Sequence, residues 1–203
     1  LQRMAERARQ LAGPDGRVDA VALSGDAGLL APEGSSADDV AGALAGMADG
    51  LVVYDGAGGY LRGDVWAAAL ADAAGDDAEC MLVGDAPAAR EAVARTAVRK
   101  NAALASMCDD LQRADGGGFV AQRSIYGGVA DGLLALKSTP AVCLFAGGKF
   151  EGAPSGEAVP VERRTVAVPA YGVTHVGDET VVKTVDLAGA SIVVSVGRGF
   201  GKA

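Results

Sequence analysis

The chain has 203 residues, 50% of them apolar, a net charge of −8 and a single histidine; that length supports one domain-sized core with room for an appendage. No apolar run approaches the roughly 18 to 20 residues of a membrane span, and Leu1-Gln2-Arg3-Met4-Ala5-Glu6-Arg7 alternates charge with apolar residues, unlike a secretory signal; a cytoplasmic chain is expected. The basic residues are scattered, with the densest group at Arg90, Arg95, Arg99 and Lys100, which argues against phosphate tracking along nucleic acid.

Gln2–Ala12 reads as a helix with Met4, Ala8 and Leu11 on one face, stopped by Gly13-Pro14-Asp15-Gly16. Arg17–Ser24 sets Val18, Ala20 and Ala22 against Val21 and Leu23 and runs into Gly25-Asp26, the pattern of a parallel strand and its loop. A second helix is expected over Asp38–Ala48, with Val40, Leu44 and Met47 in phase. A short buried strand, Leu51–Tyr54, and the turn Gly56-Ala57-Gly58-Gly59 follow. Asp64–Ala74 carries Val65, Trp66, Leu70 and Ala73 as a third helix, with Asp64 suited to its N-cap. Cys80–Val83 is a strand closing on Gly84-Asp85, and Pro87 opens a long helix to about Ala105. Strands alternating with helices at this spacing imply right-handed βαβ crossovers and an α/β fold built on a doubly wound, mostly parallel sheet.

From Met107 the rhythm changes. Met107–Arg113, a turn at Asp115-Gly116-Gly117-Gly118, Phe119–Ile125, Gly132–Ser138 and Pro140–Ala146 are short β runs between glycine turns. They predict antiparallel strands added to the edge of the sheet. After a loop over Glu151–Glu157, β-rich stretches are expected at Val159–Val168 and Thr180–Asp186. Asp186-Leu187-Ala188-Gly189 then resets the chain before a fresh apolar strand, Ala190–Val196, which places a domain boundary at Ala188-Gly189.

Cys80, Cys108 and Cys143 are dispersed and odd in number. They argue against a disulfide framework and for buried thiols in a reducing compartment, and the lone His175 offers no metal-ligand spacing. His175 is the one candidate base, but no Gly-x-Ser-x-Gly elbow accompanies it and Cys143 lies inside a strand. A solvated or structurally bonded histidine is the simpler reading. Asp76-Asp77 and Asp109-Asp110 are adjacent pairs whose side chains diverge on a strand, and turn chemistry explains them better than acid/base catalysis.

Gly25-Asp26, Gly56–Gly59 and Gly84-Asp85 would line a crevice beyond the carboxyl ends of the strands, where doubly wound sheets bind ligands. None has the spacing of a dinucleotide or phosphate-loop fingerprint, and as turns they need no ligand. Aromatic residues make up only 4% of the chain, too few to favour base stacking. Ser195-Val196-Gly197-Arg198-Gly199-Phe200-Gly201 is different in kind: an apolar strand running into Gly-Arg-Gly sets flexible backbone beside a permanent cation able to clamp a phosphate.

Three stretches, in order and at similar spacing, resemble the alpha subunit of electron transfer flavoprotein. Ser124-Ile125-Tyr126-Gly127-Gly128-Val129-Ala130 with Leu134-Ala135-Leu136-Lys137-Ser138 is similar to a strand pair of that family. Pro140-Ala141-Val142-Cys143-Leu144-Phe145 with Gly147, Gly148 and Phe150 is similar to its next strand. Ile192-Val193-Val194-Ser195-Val196-Gly197-Arg198-Gly199 is similar to the opening of its flavin-binding domain. Departures stand at Ala88-Ala89-Arg90-Glu91, at Ala146 where the family has arginine, and before Leu1, where the family has a strand ahead of its first helix.

The resemblance implies that 1–188 is an α/β scaffold and subunit-interface domain pairing with a beta subunit as a heterodimer. It implies that 189–203 is the first strand and Gly-Arg-Gly turn of an FAD-binding domain. Arg198, flanked by Gly197 and Gly199, would contact FAD. The implied activity is electron carriage, not hydrolysis: FAD takes electrons from flavin dehydrogenases and passes them to an acceptor, the redox chemistry being the flavin's. The remaining flavin motifs lie in sequence this chain does not contain, so the chain is expected to be a piece of that subunit that binds FAD weakly or not at all. The residues by themselves leave open a stand-alone α/β module that binds an adenine nucleotide or a protein partner.

Overall fold

A computed structural model describes residues 2–25, 28–29, 35–56, 62–146 and 153–166, together with 176, 187, 189–197 and 199. The chain divides into two compact units, Leu1–Pro169 and Ala170–Ala203. The expected strand at Thr180–Asp186, His175 and Arg198 lie outside the described residues.

The first unit opens with α1, Gln2–Ala12, at the expected bounds, and Gly13 closes it in a left-handed conformation (φ 73°). β1 is Asp19–Gly25, and β2, Gly28–Leu29, turns back antiparallel on Ser24 and Gly25. α2 is only Ala37–Ala43, shorter than the expected Asp38–Ala48. Its start is fixed by a capping box: Ser36 Oγ accepts from the Asp39 N–H, and the Asp39 carboxylate accepts from the Ser36 N–H. Its continuation is broken at Gly46, which sits at φ 76° with Ser155 where a side chain would go.

β3 is Gly50–Asp55 and α3 is Gly63–Ala74. Asp64 is not the expected N-cap of α3 but a buried residue of its first turn; Arg62 holds the cap position without a side-chain bond to the helix backbone and forks onto the Asp64 carboxylate at 2.9 and 2.8 Å. β4 is Cys80–Gly84 and α4 is Pro87–Lys100. α4 stops five residues before the expected Ala105 because Asn101 turns left-handed (φ 50°), a conformation asparagine tolerates. β5, Ala103–Cys108, takes the residues assigned to the helix end. β6 (Asp110–Arg113), β7 (Phe119–Ile125), β8 (Ala130–Leu136), β9 (Ala141–Phe145) and β10 (Val161–Thr165) complete the unit.

The fold is α/β, and among the described residues its strands form three sheets in place of one. In the first, ordered β10-β3-β1-β2, β10, β3 and β1 run parallel. In the second, β4 and β5 flank β9 in parallel. The antiparallel strands β6-β7-β8 are not additions to a parallel edge, as expected, but a sheet of their own. β9, expected among those antiparallel runs, is the centre of the second parallel sheet. Its sequence Ala141-Val142-Cys143-Leu144-Phe145 is buried at every residue, the mark of a strand covered on both faces.

Helices cover both faces of the parallel strands. α3 and α4 pack Val65, Trp66, Leu70, Ala92 and Val93 against Leu23, Val52 and Tyr54 of the first sheet and Val142 and Leu144 of the second, so one core joins the two. On the opposite face α1 and α2 cover Ala22, Leu51 and Val53. A third core buries Leu11, Cys108, Leu111, Phe119, Leu136, Cys143 and Phe145, and joins the second sheet to the antiparallel one. β4 has no strand partner on its other edge among the described residues, and all five of its residues are only half-buried.

In the second unit, Ala190–Gly197 forms no strand, contrary to the expectation at Ala190–Val196. Ile192, Val193, Val194 and Val196 are exposed. A strand exists only by hydrogen bonding to another, and no described residue supplies that neighbour.

Candidate functional site

The carboxyl ends of the parallel strands are the first place to look. Gly56 ends β3 at φ 78°, a backbone turn only glycine makes without strain, and 57–60 lie outside the described residues. Gly84 ends β4 with Met4 Cε of α1 3.2 Å from where a side chain would begin, so close helix packing is reason enough for the glycine. Asp85 then donates its N–H to the Phe145 carbonyl at 2.9 Å and receives a two-pronged bond from Arg90 at 2.7 Å on each oxygen.

A phosphate site needs cations aimed at the ligand. At these strand ends the arginines are already committed: Arg90 to Asp85, Arg62 to Asp64, and Arg163 to Asp55 at 2.7 Å. The arginine fork holds the Asp64 and Asp85 carboxyls below their ordinary range. Each pair cancels its own charge, which weakens the strand ends as an anion site.

The other titratable candidates resolve into structure. Asp109 braces the β6–β7 region, accepting from the Ser124 N–H at 2.8 Å and the Ser124 hydroxyl at 3.0 Å. Asp110 binds Arg7 of α1 at 2.9 Å. Asp76 is exposed, 3.9 Å from the Lys100 ammonium. Tyr54, buried on β3, donates to Asp72 of α3 and accepts from Arg164 of β10 at 3.4 Å; burial first, then the Asp72 carboxylate, push its phenol up to about 12.

The three thiols are free, and they come together more than their sequence spacing suggests. Cys143 faces Ala105 in the sheet and Cys108 faces Phe145, with a bulge between. Met107 occupies that bulge at φ 57°, and the extra residue returns Cys108 to the face that Cys143 and Phe145 share. Cys108 and burial together raise the Cys143 thiol, while Cys80 at the half-buried β4 edge is pushed up to about 11 by burial. Among the described residues no group of three His, Cys, Asp or Glu gathers as a metal site. Nor is any described helix long and apolar enough to cross a membrane.

Gly197 and Gly199 are described and open, with no atom within 4 Å of where a side chain would start. The described residues around them build no enclosing wall.

The most distinctive surface is one that the pattern of residues did not mark as a site. β7 and β8 pair from Phe119–Leu136 at the base to Ile125–Ala130 at the tip. The base is core: Phe119, Ala121 and Leu136 are buried, and the Arg113 guanidinium lies 5.3 Å over the Phe119 ring. Towards the tip the burial ends but the apolar residues do not. Leu133 is 72% exposed, Tyr126 81% and Val129 86%. Tyr126, Gly127 and Gly128 all have positive φ (53°, 69° and 89°), a tight tip that sets a bulky ring outward on left-handed backbone. Leu104 and Met107 of the neighbouring β5 are also partly exposed, and Arg123 ties β7 to β5 by donating to the Ser106 carbonyl at 3.3 Å. The one hydroxyl on its two strands, Ser124, is held by carboxylates, Asp109 at 3.0 Å and Asp131 at 3.5 Å. What the hairpin offers is exposed apolar area. The signal available in the sequence was Gly127-Gly128 between two β runs, with Leu133 standing opposite Gln122 on a face otherwise largely polar.

The family model described as "Electron transfer flavoprotein domain" matches residues 2–170. No curated protein matches the chain.

Proposed function

Because this chain belongs to the electron transfer flavoprotein domain family, a family of electron carriers, we propose that it is the N-terminal part of an alpha subunit. In this reading Leu1–Pro169 is a scaffold that docks a beta subunit and carries little of the cofactor contact itself. FAD held by the assembled protein would supply the redox chemistry by which electrons pass from flavin dehydrogenases in the cytoplasm to an acceptor. Gly197, Arg198 and Gly199 contribute to the FAD site, whose walls come from further protein.

The observation that carries the docking role is the exposed apolar hairpin of β7 and β8, with Tyr126, Val129 and Leu133 at and near its tip. The alternative of an adenine-nucleotide module is disfavoured by the same strand ends that suggested it, since Arg62, Arg90 and Arg163 are each tied to an aspartate. The test is co-expression of the chain with a candidate beta subunit, followed by size-exclusion chromatography and a visible spectrum of a version extended through the flavin-binding domain. A heterodimer with a flavin spectrum is expected. Persistent monomers of both partners, with no flavin bound by the extended complex, would defeat the proposal.

A further inference from the structure

We draw no further inference here: the strongest candidate, the buried thiols Cys108 and Cys143 brought to one face of the β4-β9-β5 sheet with Cys80 near its edge, is marked out from ordinary core cysteines only by shifted acidity, which by itself identifies neither a ligand nor a reaction.

Discussion

Leu133 separates a docking role for the hairpin from a merely structural one. Fully burying a leucine is worth about 2 kcal/mol, and Leu133 is 72% exposed, so about 1.5 kcal/mol of apolar transfer is left for a partner while about 0.5 kcal/mol is already realised in the fold. Leu133→Ala is therefore expected to weaken the complex with the beta subunit about tenfold while lowering the unfolding free energy by only about 0.5 kcal/mol. Leu133→Lys should weaken binding further, because an ammonium group would have to be desolvated at the interface. Leu136, three residues on, is buried against the core. Leu136→Ala should do the reverse, costing about 2 to 5 kcal/mol of stability. Urea melts of the isolated chain and titration calorimetry of the pair give both numbers for both variants. If Leu133→Ala and Tyr126→Ser, alone and combined, leave the dissociation constant unchanged, the hairpin is not the docking surface. If Leu133→Ala melts like Leu136→Ala, Leu133 is part of the folded core and not of an exposed face.

Three further outcomes follow from the ionisable groups. Tyr54 has a folded-state value pushed up to about 12 from an ordinary 10, so its stabilising effect is complete below pH 10 and is lost as pH rises from there through about 12. Tyr54→Phe should flatten that alkaline decline in a pH series of urea melts and cost about 1 kcal/mol at neutral pH; an unchanged alkaline limb would count against the Tyr54–Asp72–Arg164 network. The Asp64 carboxyl is depressed by Arg62, so its contribution is present above the ordinary carboxylate value and disappears as pH falls through the depressed one. Asp64→Asn should lose about 2 kcal/mol near neutrality, between the figures for exposed and buried pairs, and nearly nothing at the acid end of the same series; an equal loss at both ends would remove the ion pair as the cause. Iodoacetamide at neutral pH should label Cys80 slowly and leave Cys108 and Cys143 untouched until denaturant is added. Mass spectrometry showing Cys108 or Cys143 modified at the Cys80 rate would mean that the third core opens in the native state.

Much of the architecture was legible because local signals coincided with the elements. α1 and β7 match their expected bounds, since a clean helical face ended by Gly13 and a β run beginning just after three glycines leave no competing reading. Helix ends were less legible where the stop was a backbone event. The left-handed turn at Asn101 and the close approach of Ser155 to Gly46 are decided by what the chain meets in space. Sheet membership was the largest miss, for the same reason. β9 pairs with β4 and β5, and β10 with β3, across long stretches of sequence, and a short apolar run does not say whether its partner will be parallel.

The strand-end glycines read from the sequence as turns that need no ligand, and the ion pairs beside β3 and β4 support that reading. A phosphate cradle at a glycine-ended strand needs uncommitted donors, and at β3 and β4 the aspartates Asp55 and Asp85 capture Arg163 and Arg90. The hairpin tip shows the opposite arrangement. Asparagine followed by glycine would make a tight turn at little strain and would face water well, whereas Tyr126 stands in the left-handed region at a cost of order 1 kcal/mol and is 81% exposed. Neither folding nor solvation is served by a ring in that position, nor by Val129 and Leu133 beside it. In the proposed reading that apolar area is buried outside the isolated chain, where a docked subunit would cover Tyr126, Val129 and Leu133.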